Sequence, residues 1–153
     1  MKLNQVVLFE PEIPANTGNI IRLCANTQTQ LTLIGQLGFE LDDKKLKRAG
    51  LDYHEFAAIK QYPDWASWRI HHPDLPCIAL STKGKCHYHE IDLSPPHAIV
   101  FGPETRGLPQ YIREDVTCCR IPMARDQRSL NLSNSVAIVL YEVLRQQHFV
   151  TLT

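Results

Sequence analysis

The sequence predicts an α/β fold in which a mostly parallel sheet is covered by helices on both faces. Short apolar runs alternate along the chain with segments of helical pattern, which is the order of parallel strands joined by crossover helices. The runs are continuously apolar, as expected for strands buried on both faces. Most of them end in loops rich in Gly, Pro, Ser and Asn, which mark where each strand stops.

The predicted strands cover residues 6–9, 31–34, 56–59, 77–80, 98–101 and 116–121. Pro11 and Pro14 stop the first strand, because proline lacks the amide hydrogen that a sheet or a helix interior needs. A helix over residues 19–26 follows, which Asn16 or Thr17 can cap. Residues 42–50 predict a short helix with acids first and bases after them, in agreement with the helix dipole.

Three further helices are predicted in the second half of the chain. Residues 64–71 form a helix whose Trp65 and Trp68 face the core, and residues 108–114 form one with Pro109 in its first turn. The last helix covers residues 134–148, with Ser133 as its N-cap. Its residues leave almost no polar face, which is typical of a helix buried on more than one side. The second side is either a subunit interface or the interior of a monomer.

Composition limits the possible classes of function. The 153 residues suffice for one domain with a sizeable core. Sixteen Lys and Arg balance sixteen Asp and Glu, so any nucleic-acid site must be a local patch. Five cysteines without a Cys-x-x-Cys pair predict buried free thiols in a reducing, cytoplasmic compartment. We expect neither a signal peptide nor a membrane-spanning segment.

Cys86, His87 and His89 are spaced closely enough to suggest metal ligands. A structural zinc ion would need a fourth ligand and usually paired ligand spacings. We therefore expect no metal site in this segment.

The loops after Phe9, Leu80, Phe101 and Ile121 are the expected functional site, because ligands of α/β proteins bind beyond the carboxyl ends of strands. The chain contains neither a G-x-G-x-x-G fingerprint nor a P-loop, which disfavours standard dinucleotide and nucleoside-triphosphate sites. Spacing supports no Ser-His-Asp or Cys-His arrangement. Arg22 lies near the first of these loops, where a functional role is favoured over a plain surface charge.

Three ordered motifs resemble a known family. They are Asn16-x-Gly-Asn-Ile-Ile-Arg22, Phe101-Gly-Pro-Glu-x-x-Gly-Leu-Pro109, and Ile121-Pro-Met with Ser129-Leu-Asn-Leu-Ser-Asn-Ser135. With these motifs the chain resembles the SPOUT superfamily of RNA methyltransferases, and within it the minimal enzymes that methylate the tRNA wobble nucleotide. The stretch from Asp42 to Phe56 supports that subfamily, and the resemblance covers nearly the whole chain.

The resemblance implies a single SPOUT methyltransferase domain over residues 1–153, whose carboxyl-terminal segment threads a loop to form a trefoil knot. Pattern alone would not predict this, because connections almost never thread loops. The resemblance also implies a homodimer with its cofactor pocket near the subunit interface, which agrees with the apolar last helix. The implied partners are tRNA and a second copy of the chain, without a membrane.

The implied reaction moves a methyl group from S-adenosylmethionine to the ribose 2′-hydroxyl of the wobble cytidine or uridine, with leucine tRNAs as expected substrates and S-adenosylhomocysteine as product. The sulfonium provides the leaving group, so the protein supplies position and a path for the proton. Alignment of two reactants contributes up to about 7–11 kcal/mol. The alternatives are a relative acting on another tRNA position or on rRNA, and a non-catalytic RNA-binding or cofactor-sensing dimer.

The resemblance assigns two sets of binding residues. The cofactor-binding set is Leu80, Gly102, Ile121, Ser129 and Leu130, with Thr82 and Glu104 as further candidates. Glu104 could face the sulfonium or instead pair with Arg106. The set expected to bind RNA phosphates is Lys44, Lys45, Lys47, Arg48, Arg125 and Arg128. From spacing alone, a solvated helix that matches its dipole is the better explanation of the first four.

Arg22 matches the arginine that the family uses near the 2′-hydroxyl. A guanidinium with a pKa above about 12 is a poor base, so we expect it to bind the adjacent phosphate and orient the hydroxyl. Ser133 and Asn134 match the third motif and are expected to position the nucleophile or the loop. Asn16 is expected to brace the first loop. Tyr141 either reaches the site or packs in the core, and we expect the core.

One position departs from the family pattern. Close relatives tend to have glycine after Ala25-Asn-Thr27, where this chain has Gln28. A glycine at that position suits a left-handed helix C-cap.

Overall fold

A seven-stranded sheet forms the centre of the computed structural model, which describes residues 3–41, 44, 55 and 58–153. The strands in chain order are β1 Gln5–Phe9, β2 Gln30–Ile34, β3 Lys60–Tyr62, β4 Cys77–Leu80, β5 Cys86–His87, β6 Ala98–Phe101 and β7 Thr117–Arg120. Their spatial order is β3-β2-β1-β6-β4-β7-β5, and every neighbouring pair is parallel. The predicted mostly parallel sheet is confirmed.

Helices cover both faces of the sheet, as predicted. The helices with described bounds are α1 Pro14–Asn26, α2 Trp65–His71, α3 Gln110–Asp115 and α4 Leu132–Gln146, with a 3-10 turn at Tyr88–Glu90. Side chains alternate along each strand, so Val6 and Leu8 pack under α1 and α4 while Val7 and Phe9 pack under α2 and α3. The sheet therefore has a buried apolar layer on each side.

The two tryptophans of α2 face the core, as predicted. Trp68 is fully buried, and its indole Nε1 donates to Gln5 Oε1 over 3.3 Å. Trp65 is nearly buried and donates to Asp115 Oδ2 over 2.8 Å. Each indole thus packs its ring in the core while its polar nitrogen keeps a partner.

Both predicted N-caps are wrong. Helix α1 already begins at Pro14, a residue suited to the first helical position, so Asn16 and Thr17 lie inside the helix and are buried. Helix α4 begins at Leu132 behind Asn131, whose side chain accepts from the Asn134 amide. Asparagine is as good a cap as serine, and Asn131 caps the helix two residues before the predicted Ser133.

The third strand also differs from its prediction. Of the predicted residues 56–59, the first two lie outside the described residues. Ala58 and Ile59 precede the strand, which instead spans the polar segment Lys60–Tyr62. Among the described residues this strand lies at the sheet edge and pairs with β2 alone, so it does not need a continuous apolar run. Of the predicted helix over residues 42–50, only Lys44 lies within the described residues, and it is helical.

Strand β7 lies between β4 and β5, which are themselves joined by residues 81–85. Gly84 of that connection is packed directly on β7, because a Cβ there would lie 2.5 Å from the carbonyl oxygen of Cys119. Insertion of one strand between two strands joined by a short loop is consistent with the expected knot. The knot itself stays a prediction.

Helix α4 is buried on one side and exposed on the other. Its buried residues are Leu132, Val136, Val139, Leu140, Val143 and Leu144. Ile138 and Tyr141 are 40% and 46% exposed, so the prediction that Tyr141 packs in the core is wrong. The helical pattern identified the apolar residues of this helix, but it could not show which of them are buried by other parts of the same chain.

The five cysteines are all free, although only Cys24 and Cys119 are fully buried. Burial raises the pKa of the Cys24 thiol to about 12. The prediction of buried thiols therefore holds for two of the five. Among the helices of the described residues, none has the length and apolar character needed to cross a bilayer.

Gln28 adopts the left-handed conformation that favours glycine, with φ of +54°, directly after the C-cap residue Thr27 of α1. We expect Gln28→Gly to stabilise the protein by about 0.5–1 kcal/mol, because glycine relieves the left-handed strain at a modest entropic cost. Urea unfolding measures the change. The matched variant Gln28→Ala keeps the strain, and an equal gain from it would contradict this explanation.

Candidate functional site

A pocket of about 520 Å³ lies beyond the carboxyl ends of the neighbouring strands β1, β6, β4 and β7. Its walls come from the loops that follow these strands, together with Ile13 and Asn16 at the start of α1. These are the four loops that the sequence indicated. The volume lies in the range of small-molecule and cofactor sites.

All seven residues of the expected cofactor-binding set line this pocket. Leu80 and Thr82 come from the end of β4, Gly102 and Glu104 from the loop after β6, and Ile121, Ser129 and Leu130 from the loop after β7. The structure therefore brings together residues that are up to fifty positions apart in the sequence.

Gly102 is required by the packing of its own loop. A Cβ there would lie 2.5 Å from the carbonyl carbon of Gly107 and 2.9 Å from Leu108 Cα. The loop folds back through a bond from the Gly107 amide to the Pro103 carbonyl, 2.9 Å, with Gly107 at φ +68°. Glycine at this position thus lets the loop close on itself at the pocket wall.

Glu104 connects the loop after β6 to the start of α1. Its carboxylate accepts from the amides of Glu12 and Ile13 over 2.9 and 2.7 Å, and from Asn16 Nδ2 over 3.3 Å. The alternative pairing with Arg106 is wrong, because Arg106 lies 3.5 Å from Glu10 and 3.8 Å from Glu12. The carboxylate lines the pocket, but backbone donors already hold it.

Glu12 makes the reciprocal connection. Its carboxylate accepts from the backbone amide and the hydroxyl of Thr105, both over 2.8 Å. The pKa of Glu12 is lowered, chiefly by these two hydrogen bonds, and the nearby Arg106 lowers it further. The loops after β1 and β6 are therefore linked by carboxylates in both directions.

Asn16 braces its loop, as expected, and also reaches the start of α4. Its Oδ1 accepts from Asn131 Nδ2 over 3.0 Å. Asn131 lines the pocket and caps α4, yet the sequence did not single it out. The sequence did hold a signal for it. Asparagine is a preferred N-cap residue, and Asn131 lies just before the apolar helical pattern, two residues ahead of Ser133.

The three expected catalytic residues do not line the pocket of a single chain. Ser133 donates to Asn131 Oδ1 over 2.7 Å, and Asn134 is exposed in the same turn of α4. Arg22 lies on α1 about 9 Å along the helix axis from Asn16. Its guanidinium is half exposed and 3.9 Å from Glu55.

The expected phosphate-binding residues are only partly placed. Arg128 lines the pocket, and Arg125 is exposed in the same loop. Lys44 is exposed, while Lys45, Lys47 and Arg48 lie outside the described residues. The structure thus brings two of the six to the neighbourhood of the pocket.

The segment considered for metal binding forms a different cluster from the one suggested by spacing. His87, His89 and Glu90 each place one possible ligand atom within 4.8 Å of the others. The Cys86 thiol donates instead to the carbonyl of Cys118 over 3.7 Å. The cluster in the structure therefore contains Glu90 and not Cys86 as its third possible metal ligand.

Comparisons with known proteins identify the family of the chain. The sequence model of the SpoU rRNA Methylase family matches residues 4–141. A relative from Methylovorus glucosotrophus, named tRNA (cytidine(34)-2'-O)-methyltransferase, is 52% identical over 147 residues, which are 94% of this chain and 96% of that protein.

Two solved structures are similar over nearly all of this chain. One, described as giving insight into 2-OH methylation of C/U34 on tRNA, is 36% identical with a TM-score of 0.90 and covers 96% of this chain and 97% of its own. The other is an AdoMet-bound rRNA methyltransferase from Sinorhizobium meliloti, 28% identical with a TM-score of 0.80, covering 94% of this chain and 56% of its own.

Replacement of Glu104 tests the link between the loops. We expect Glu104→Gln to destabilise the protein by about 1–2 kcal/mol, because one carboxylate oxygen becomes an amide donor that faces backbone donors. Urea unfolding measures the loss. Glu114→Gln is the matched control, since exposed Glu114 accepts a single bond from Gln110 and should change stability by less than about 0.5 kcal/mol. Equal effects of the two variants would argue against the link.

Proposed function

The chain belongs to the SpoU rRNA methylase family, and we propose that it transfers a methyl group from S-adenosylmethionine to the ribose 2′-hydroxyl of the wobble nucleotide of tRNA. The SPOUT resemblance drawn from the three motifs is confirmed by this membership. The observation that carries the proposal is the meeting of all seven expected cofactor residues in one pocket. The names of the similar proteins support the wobble nucleotide as the target.

The residues of the pocket fit the proposed cofactor. Leu80, Ile121 and Leu130 offer apolar contacts for the adenine ring, and the strand-end loops offer backbone amides and carbonyls for its polar edge. When bound, S-adenosylmethionine supplies the methyl group on a sulfonium leaving group. The chain itself then has to exclude water, orient the ribose and accept the proton of the hydroxyl.

We assign Arg22 to the ribose and its adjacent phosphate, with Ser133 and Asn134 as positioning residues at the start of α4. Arg22 does not line the pocket of its own chain, so this role depends on the proposed homodimer. Support comes from the layer formed by α1 and α4, which carries Arg22 together with the exposed Ile138 and Tyr141. A second copy packed on this layer would bring Arg22 to the other subunit.

Exposed apolar side chains support the dimer itself. Ile138, Tyr141 and Phe149 are 40–46% exposed, and Val150 is 80% exposed, all at or just after α4. A contiguous apolar surface of this kind commonly marks a protein interface. We further propose one domain over residues 1–153, a cytoplasmic location and leucine tRNAs as substrates, all of which rest on the family resemblance.

The first test is methyl transfer from radiolabelled S-adenosylmethionine into total RNA isolated from cells that lack this gene, followed by separation of tRNA from rRNA and nucleoside mapping. Label on the wobble ribose is the expected result. Label confined to rRNA would support the alternative that the family name favours. Label at another tRNA position would support a relative with a different tRNA target. Cofactor binding without any label would favour a non-catalytic RNA-binding dimer.

Replacement of Arg22 tests its proposed role. We expect Arg22→Lys to lower kcat/KM for tRNA at least about tenfold, because an ammonium cannot present the planar fork that holds a phosphate and orients the hydroxyl. Cofactor affinity should stay unchanged. Arg69→Lys on α2, beyond the opposite face of the sheet, is the control and should retain activity. Near-normal turnover of the Arg22 variant would contradict the assignment.

A further inference from the structure

Basic residues are concentrated in two segments beside the pocket. Residues 81–85 and 120–128 contain a single acid, Asp126, in a chain whose formal net charge is zero. We call the basic side chains of these segments the cationic face: Lys83, Lys85, Arg120, Arg125 and Arg128. Within the part of the chain that the structure describes, none of the five takes part in an ion pair.

The two segments adjoin each other and the pocket. Thr82 of the first and Arg128 of the second both line the pocket wall. Arg120 lies in register with His87 on the neighbouring strand, and Gly84 packs on the backbone of Cys119. The cationic face therefore runs from the pocket across the end of β7 to the edge strand β5.

The loop that carries the two lysines is held in place. Its Ser81 amide donates to the Cys119 carbonyl, and its Gly84 amide to the Ser81 carbonyl, both over 3.0 Å. The Lys83 amide donates to Ser81 Oγ over 3.1 Å. The side chains of Lys83 and Lys85 are exposed on this fixed turn, so binding an anion there requires little ordering of the backbone.

We propose that the cationic face binds the sugar–phosphate backbone of the RNA substrate, and that Lys83 and Lys85 are phosphate-binding residues that hold the target nucleotide over the pocket. An array of exposed cations on adjoining loops suits a polymer with one phosphate per nucleotide, whereas a small anion needs convergent, buried donors. The inference rests on the proposed function, because it takes RNA as the substrate of this pocket.

Neutralisation of the two lysines tests the proposal. In Lys83→Gln/Lys85→Gln we expect the slope of log affinity for tRNA against log salt to become shallower by about 1.5, since each lost phosphate contact removes about 0.7–0.9. The KM for tRNA should rise roughly tenfold near physiological salt, with the affinity for S-adenosylmethionine unchanged.

Two further variants control the experiment. Lys60→Gln removes an exposed lysine from β3, at the sheet edge opposite β5, and should leave the salt slope at its wild-type value. Lys83→Arg/Lys85→Arg keeps the charges and should bind tRNA like the wild type, which separates the loss of charge from damage to the loop.

Two results would overturn the inference. One is an unchanged salt slope in the doubly neutralised variant. The other is an equal loss of tRNA affinity in Lys83→Arg/Lys85→Arg, which would assign the effect to the shape of the loop and not to its charge. If tRNA binding depends on Lys83 and Lys85 while the wild type fails to methylate the wobble ribose, the inference stands and the proposed function fails.

Discussion

Two neighbouring loops each contribute a carboxylate that accepts hydrogen bonds from the other loop, and these bonds hold the functional end of the sheet together. Glu104 reaches the first amides before α1, and Glu12 reaches back to Thr105, although the linked residues are more than ninety positions apart. These reciprocal hydrogen bonds are possible because β1 and β6 are adjacent in the sheet. The amides at a helix start lack partners within the helix, and a carboxylate satisfies both their hydrogen bonds and the positive end of the helix dipole.

The same arrangement separates charge across the pocket. The acids Glu10, Glu12 and Glu104 lie on the side of β1 and β6, where Arg106 and backbone amides neutralise them. The cationic face lies on the side of β4, β7 and β5. A chain without net charge thus carries a group of cations beside its pocket, and the composition could not reveal it because total charge says nothing about position.

Sequence patterns predicted the buried strands well, because continuous apolar runs and proline-rich ends are local signals. They failed where the deciding contact was distant. Asn131 replaced Ser133 as the cap of α4, and it also holds Asn16, which is more than a hundred residues away. The polar edge strand β3 carried no apolar signal, and the exposure of Tyr141 depends on what covers α4. The expected cofactor-binding set came from motif resemblance, and its meeting in one pocket follows from the strand order.

The place of β7 between β4 and β5 has a consequence for the nascent chain during translation. Until Thr117–Arg120 has been synthesised, β4 and β5 leave unpaired edges, to which strands of other chains could add. The last wall of the pocket follows β7 and comes from residues near the carboxyl terminus. No ligand of the pocket can therefore stabilise the nascent chain before these residues have been synthesised.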